Sequence, residues 1–236
     1  MVEFKELVEK LNISINDDML NKYNLYYNKL IEVNKYMNLT SITEENEVYI
    51  KHFYDSLSLN LAINNLKNIT ICDVGAGAGF PSVPLAIARE DINVTIIDSL
   101  NKRINFLNDL ISYININNVE ALHYRAEDYA KIKRESFDVV TARAVARLNI
   151  LSELCLPLVK IGGIFVAMKA DVREELDEAK NAIKILGGEI VDIINLDLPF
   201  DMGKRNIVII KKIKPTDKKY PRLFAKIKEK PLWATK

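Results

Sequence analysis

From Ile69 onward, short β-branched runs alternate with helical stretches, and no other feature constrains the fold as strongly. "ITICDV", "NVTIID", "VEALHY", "FDVVTA", "GGIFVAMK", "EIVDIINL" and "NIVIIKK" read as strands. Between them, "PSVPLAIARE", "NKRINFLNDLISYI", "AEDYAKI", "AVARLNILSELCLPLV" and "DVREELDEAKNAIKIL" read as helices. Such alternation builds an α/β, mostly parallel, doubly wound sheet with right-handed crossovers. Only the loop "DLPFDMGKR" separates the last two runs, which are therefore expected to pair as an antiparallel hairpin at one edge. Residues 66–213 form this Rossmann-like domain, residues 1–65 a helical extension and residues 214–236 a basic tail.

The extension carries no strand signal. "DDMLNKYNLYYNKLIEVNKYMN" has helical spacing, with Asp17 placed to cap its start. "NLTSIT" breaks the helix, and "EENEVYIKHFYDSLSLNLAI" is expected to resume it as an amphipathic one.

The run "CDVGAGAGFPSVPLAIAR" ends the first strand and turns out of it, where an open α/β sheet binds its ligand. A ligand pressing on the backbone there would exclude Cβ atoms and so account for Gly75, Gly77 and Gly79. Pro81 and Pro84 suit the first helical turn, whose free N–H groups can hold an anion. A dinucleotide turn needs a third glycine at residue 80, which is Phe80. G-x-G-x-G with Asp73 two residues ahead fits S-adenosylmethionine better. Asp98, ending the second strand, can accept both ribose hydroxyls, and Ala126-Glu127-Asp128 follow the third strand, where the adenine edge should lie. The expected fold is thus that of a class I S-adenosylmethionine-dependent methyltransferase.

The fourth strand end gives "TARAVARL" rather than the Asn/Asp-Pro-Pro-aromatic run of many amine methylases. Neither cysteine is placed for pyrimidine C5 chemistry: Cys72 lies within a strand and Cys155 on a core-facing helix. His52 and His123 are isolated and form no metal constellation. These exclusions leave a nucleophile that needs no activation, such as guanine N7, which carries a lone pair and no proton. Alignment of N7, methyl and sulfonium sulfur would then suffice. Arg143 is placed to touch the cofactor or guide the base, and as a permanent cation it cannot be a general base.

"DVGAGAGFPSVPLAI", "IDSLNKRINFL", "YRAED", "TARAVA", "NLTSI" with "HFYDSL", and "YPR" together resemble the small-subunit ribosomal RNA methyltransferase G family, also called glucose-inhibited division protein B. The resemblance runs over nearly the whole chain. It implies methyl transfer from S-adenosylmethionine to guanine N7 in the decoding region of bacterial 16S rRNA. It also implies cofactor contact by Gly75, Phe80, Ala126, Glu127 and Arg143. Two positions depart from the family pattern: "YPRLFAKIKEKPL" lacks a Gly-Pro element, and Lys169 is followed by Ala170 where many members have Gly. Alternatives are methylation of a small molecule or protein, or a catalytically silent RNA-binding assembly factor.

A net charge of +1 conceals segregation: residues 211–236 carry ten Lys/Arg against Asp217 and Glu229, a net of +8. A basic tail on an acidic body points to a polyanionic partner, here 16S rRNA, the small ribosomal subunit or its assembly intermediate. Lys131, Lys133, Arg134 and Arg147 are expected to help the tail hold phosphates, and Tyr220, Phe224 or Trp233 to stack on a base or pack on the body. No apolar run approaches the ~20 residues of a membrane span, the N-terminus lacks the apolar centre of a signal peptide, and two unpaired cysteines suit a reduced compartment. A monomeric, cytoplasmic enzyme without metal or membrane partner is the expectation.

Overall fold

The computed structural model describes residues 2–143 and 145–232 of the chain. Seven strands form one sheet: β1 (Thr70–Val74), β2 (Asn93–Asp98), β3 (Val119–His123), β4 (Phe137–Arg143), β5 (Val159–Lys169), β6 (Gly188–Asp197) and β7 (Lys204–Lys212). Their order is β3-β2-β1-β4-β5-β7-β6. The first five strands pair in parallel, and β7 runs antiparallel between β5 and β6. The edge hairpin is as expected, with its second strand on the inside. The chain steps outward from β1 to β3 and returns to β4 on the other side of β1. That reversal opens a crevice at the carboxyl ends of β1 and β4.

The crossover helices are α6 (Ser82–Ala88), α7 (Asn101–Tyr113), α8 (Ala126–Ile132), α9 (Leu148–Cys155) and α10 (Arg173–Ile185). Ahead of the sheet come α1 (Val2–Glu9) and α2 (Asp17–Met37). The cap of α2 is Asn16, not Asp17: the Asn16 Oδ1 accepts the Met19 N–H at 2.8 Å. Asp17 sits in the first turn, where its charge suits the helix dipole and pairs with Lys5.

The stretch expected as one amphipathic helix is instead broken and buried nearly all round. It comprises α3 (Glu45–Val48), a π-helical turn (Tyr49–Tyr54), α4 (Asp55–Leu57) and α5 (Asn60–Ile63). Phe53 through Asn60 are all buried. Rings of α1 and α2 cover one side of this stretch: Phe4 lies 5.0 Å from Tyr49, and Tyr23 lies 5.3 Å from Phe53. The glycine turn and α6 lie against it and against α2. Tyr23 donates to the Pro84 carbonyl at 2.6 Å, and Tyr26 to that of Ala78 at 2.5 Å. The N-terminal helices and one face of the sheet therefore share a single apolar cluster.

The tail also folds back on the body. Arg134 donates to the carbonyls of Thr216, Asp217 and Tyr220 at 2.8–2.9 Å. Arg222 grips the fully buried Glu153 through Nε at 2.8 Å and Nη2 at 2.6 Å. The tail ends its described part with α11 (Phe224–Glu229), which buries Ile227. Trp233 lies outside the described residues.

Candidate active site

Two cavities open at the carboxyl ends of the strands, one over β1, β2 and β3 and the other over β4 and β5. The first has a volume of about 360 Å³. Val74 and Gly75 reach it from β1, Ile97 and Asp98 from β2, and Ala126 and Glu127 from the start of α8. Arg103, Tyr124, Val145 and Phe224 complete the wall. The Asp98 carboxylate is buried and accepts the Leu100 N–H at 2.9 Å, the Gly77 N–H at 3.3 Å and Arg103 Nη1 at 3.3 Å. Glu127 is also buried, and its Oε1 accepts the Phe224 N–H at 3.2 Å.

The nine residues expected at the cofactor divide into groups. Gly75, Asp98, Ala126 and Glu127 line the first cavity, and Gly77 bonds to Asp98. Asp73, Gly79, Phe80 and Arg143 are not on its wall. Asp73 is fully buried and holds Ser82, the first residue of α6, through both the hydroxyl and the backbone N–H. Burial pushes its carboxyl up to about 7. Phe80 stacks between Tyr26, at 5.5 Å, and the His52 ring, at 4.4 Å, with the Arg143 guanidinium 4.9 Å above its centroid.

A ligand does not account for two of the three glycines. A Cβ on Gly75 would meet Val145 Cγ2 at 2.8 Å, and one on Gly79 would meet the Tyr26 hydroxyl at 2.7 Å. Protein side chains, not a ligand, exclude a Cβ there. Only at Gly77 would a Cβ enter open space. All three have positive φ, so the turn needs glycine for its backbone as well.

The second cavity, of about 440 Å³, is lined by His52, Asp55, Arg143, Lys169, Glu175 and Arg205 among others. Arg143 pairs with none of the carboxylates in the sheet's own motifs, Asp73, Glu127 and Asp128. Its partner is Asp55, 2.8 Å away, from the N-terminal helical stretch. Sequence reasoning missed Asp55 and Arg205, although the "HFYDSL" motif contains the aspartate. The basic residues also divide. Arg134 is spent on the tail carbonyls and Arg147 on Glu178, Lys212 is wholly buried, and Lys131 is exposed with a surface pair to Asp128. Lys133, Lys214, Lys218, Lys219, Lys226, Lys228 and Lys230 are exposed. Tyr220 is buried and Phe224 faces the first cavity, so neither projects as a stacking platform.

Cys72 and Cys155 are buried free thiols, and burial pushes both well above the ordinary thiol range. Neither forms the thiolate that attacks a pyrimidine ring. Brief iodoacetamide treatment of the folded protein is therefore expected to leave methyl transfer unchanged, and mass spectrometry should find both cysteines unalkylated. Inhibition that tracks alkylation of either one would reverse this reading. Among the described residues no His/Cys/Asp/Glu group could hold a metal ion, and no helix is long and apolar enough to cross a membrane.

The GidB family, described as rRNA small subunit methyltransferase G, matches residues 19–207. The chain belongs to this family. The member from Staphylococcus saprophyticus, named ribosomal RNA small subunit methyltransferase G, is 55% identical over 212 residues, 89% of each chain. The member of that name from Staphylococcus carnosus is 50% identical over 233 residues, 96% of this chain and 97% of its own. A solved 16S rRNA (adenine(1408)-N(1))-methyltransferase variant from Catenulisporales acidiphilia, with its cosubstrate SAM, superposes with a TM-score of 0.51 at 13% identity. That overlap covers 63% of this chain and 87% of the other, and it shows the shared fold.

Proposed function

We propose that this chain transfers the methyl group of S-adenosylmethionine to N7 of one guanine in the decoding region of 16S rRNA. The observation that carries the reading is the first cavity, built at the sheet's switch point in a chain of the methyltransferase G family. Its chemistry fits the cofactor. The buried Asp98 carboxylate offers acceptors for ribose hydroxyls, and Ala126 and Glu127 offer polar groups to an adenine edge. When bound, S-adenosylmethionine supplies a methyl group activated by a sulfonium.

The protein then has two tasks. It must exclude water and hold the base, because N7 attacks through its own lone pair and no proton has to be removed. Phe224 and Val145 supply apolar wall at the cofactor. The exposed lysines of the tail give a polyanionic substrate its phosphate contacts, and those contacts should weaken as salt rises. A monomeric enzyme acting in the cytoplasm on rRNA or the small subunit accords with this picture.

The test is a strain lacking the gene, with 16S rRNA digested and N7-methylguanine counted by mass spectrometry. The modification should disappear and return with the wild-type gene. The reading falls if the modification persists unchanged, or if purified protein with labelled cofactor methylates only a small molecule or a protein.

A further inference from the structure

We propose that the second cavity receives the acceptor base, that Arg143 and Arg205 read it, and that Asp55 is the positioning residue that holds the two arginines in place. This inference rests on the rRNA methylation reading and assigns the base site within it.

Placement comes first. Arg143 ends β4 and pairs in register with Met168 of β5, so this cavity stands at the strand next to β1 and its glycine turn. Phe80 of that turn touches both His52 and Arg143 of the cavity wall. A base in this cavity would therefore lie one side-chain layer from the turn of the first cavity. The volume, about 440 Å³, lies in the range of a small-molecule site.

The charges are arranged for more than stability. Asp55 is only 1% exposed and bridges two guanidiniums, from Oδ2 to Arg143 Nη1 and from Oδ1 to Arg205 Nε, both at 2.8 Å. Burying such a triad costs desolvation that packed apolar residues would avoid. The return is geometric, since three elements far apart in sequence fix two planar donor groups at one cavity. Arg143 is held further by the Lys51 carbonyl and by His52 Nδ1, each at 3.3 Å. An arginine donating to Nδ1 leaves the His52 proton on Nε2, which lies 2.8 Å from Thr40 Oγ1. Burial, and then Arg143, push His52 down to about 3, so this ring stays a neutral acceptor at working pH. The "NLTSI" and "HFYDSL" motifs are thus one support for Arg143.

The donor pattern selects the base. Guanine presents O6 and N7 as adjacent acceptors, and guanidinium donors match O6 while N7 keeps its lone pair for the methyl. Adenine presents an amino donor at that position, which two arginines repel. The far edge of guanine carries N–H donors; the two carboxylates on the same wall are already paired, Glu175 with Lys169 and Asp171 with Arg173, so the arginines carry the selection.

The experiment compares wild type, Asp55→Asn and Arg205→Gln, using small ribosomal subunits from a strain lacking the gene and, in parallel, a 16S rRNA transcript that carries the decoding region. Cofactor affinity is read by calorimetry, melting by scanning fluorimetry, and kcat and KM with labelled cofactor. Both variants should bind S-adenosylmethionine within about threefold of wild type and keep their KM for RNA within a similar factor. Their kcat should fall at least a hundredfold. Arg205→Lys should recover part of that loss, because a cationic donor group remains although its planar fork is gone. Arg205 is partly exposed, so its variant decides the matter if Asp55→Asn fails to fold. A folded variant of either residue with wild-type kcat overturns the inference while leaving the methylation reading intact. If wild type itself methylates no rRNA, the methylation reading fails and takes this site with it.

Discussion

Truncation after Ile213 is expected to lower the melting temperature by about 10–20 °C, from a loss of about 5 kcal/mol. The buried ions decide the size of the effect. Glu153 is fully buried, and its carboxylate is satisfied by the backbone N–H of Arg222 at 2.9 Å and by that residue's guanidinium. Removing the partner leaves an unpaired buried charge, which costs about 3–5 kcal/mol. Lys212 remains in the truncated chain, wholly buried, and loses the Thr216 hydroxyl while keeping the Leu156 carbonyl. Arg134 loses three carbonyl acceptors. Cofactor affinity should fall as well, because Phe224 leaves the wall of the first cavity. A truncated protein that melts normally and binds S-adenosylmethionine normally would show that these contacts carry no weight.

The same tail still presents charge to solvent, and the two roles separate by substitution. Replacing Lys226, Lys228 and Lys230 together by Gln touches only exposed side chains. Melting should then stay within a few degrees of wild type while RNA affinity drops. The slope of log K against log salt should become shallower by about 0.7–0.9 for each phosphate that is no longer neutralised.

Much of the fold was legible because it rests on local pattern. Strand runs buried on both faces are apolar without alternation, and each crossover helix is bounded by its own turn residues, so seven strands and five helices could be placed from sequence. The hairpin followed from a connection too short for a crossover. Apart from the cap of α2, the misreadings share one cause, which is contact between residues far apart in the chain. Asp17 and Asn16 are equally good caps by type, and only backbone geometry selects Asn16. Asp55 and Arg143 are 88 positions apart, and Arg205 is 150 from Asp55. Nothing local marks them as one cluster. The tail's arginine reads as solvated charge until Glu153 appears opposite it. The glycines stand out in the sequence, but two of them make room for Val145 and Tyr26 rather than for a ligand.

Gly79→Val should unfold the protein or lower its melting temperature by more than about 10 °C, whereas Gly77→Val should leave a folded protein that binds S-adenosylmethionine poorly. The two residues share a turn and differ in what surrounds them. At Gly79, φ is +105°, and a Cβ would meet the Tyr26 hydroxyl at 2.7 Å, Val83 Cγ2 at 2.9 Å and Leu107 Cδ2 at 3.0 Å. The Tyr26 hydroxyl is held at 2.5 Å by the Ala78 carbonyl within the same turn, so it cannot move aside without losing that bond. Backbone strain of about 1–3 kcal/mol and overpacking of about 1–3 kcal/mol then add. At Gly77, φ is +62° and nothing lies within 4 Å, so the substitution costs only left-handed strain, about 1–2 kcal/mol. Its side chain enters the space beside an N–H that bonds Asp98, a wall of the first cavity. Calorimetry on Gly77→Val should show at least a tenfold loss of affinity with melting within about 5 °C of wild type. Unchanged affinity would mean that the open space at Gly77 is not ligand space, and the cavity would have to be assigned again. A normally melting Gly79→Val would mean that the turn yields more easily than its packing allows.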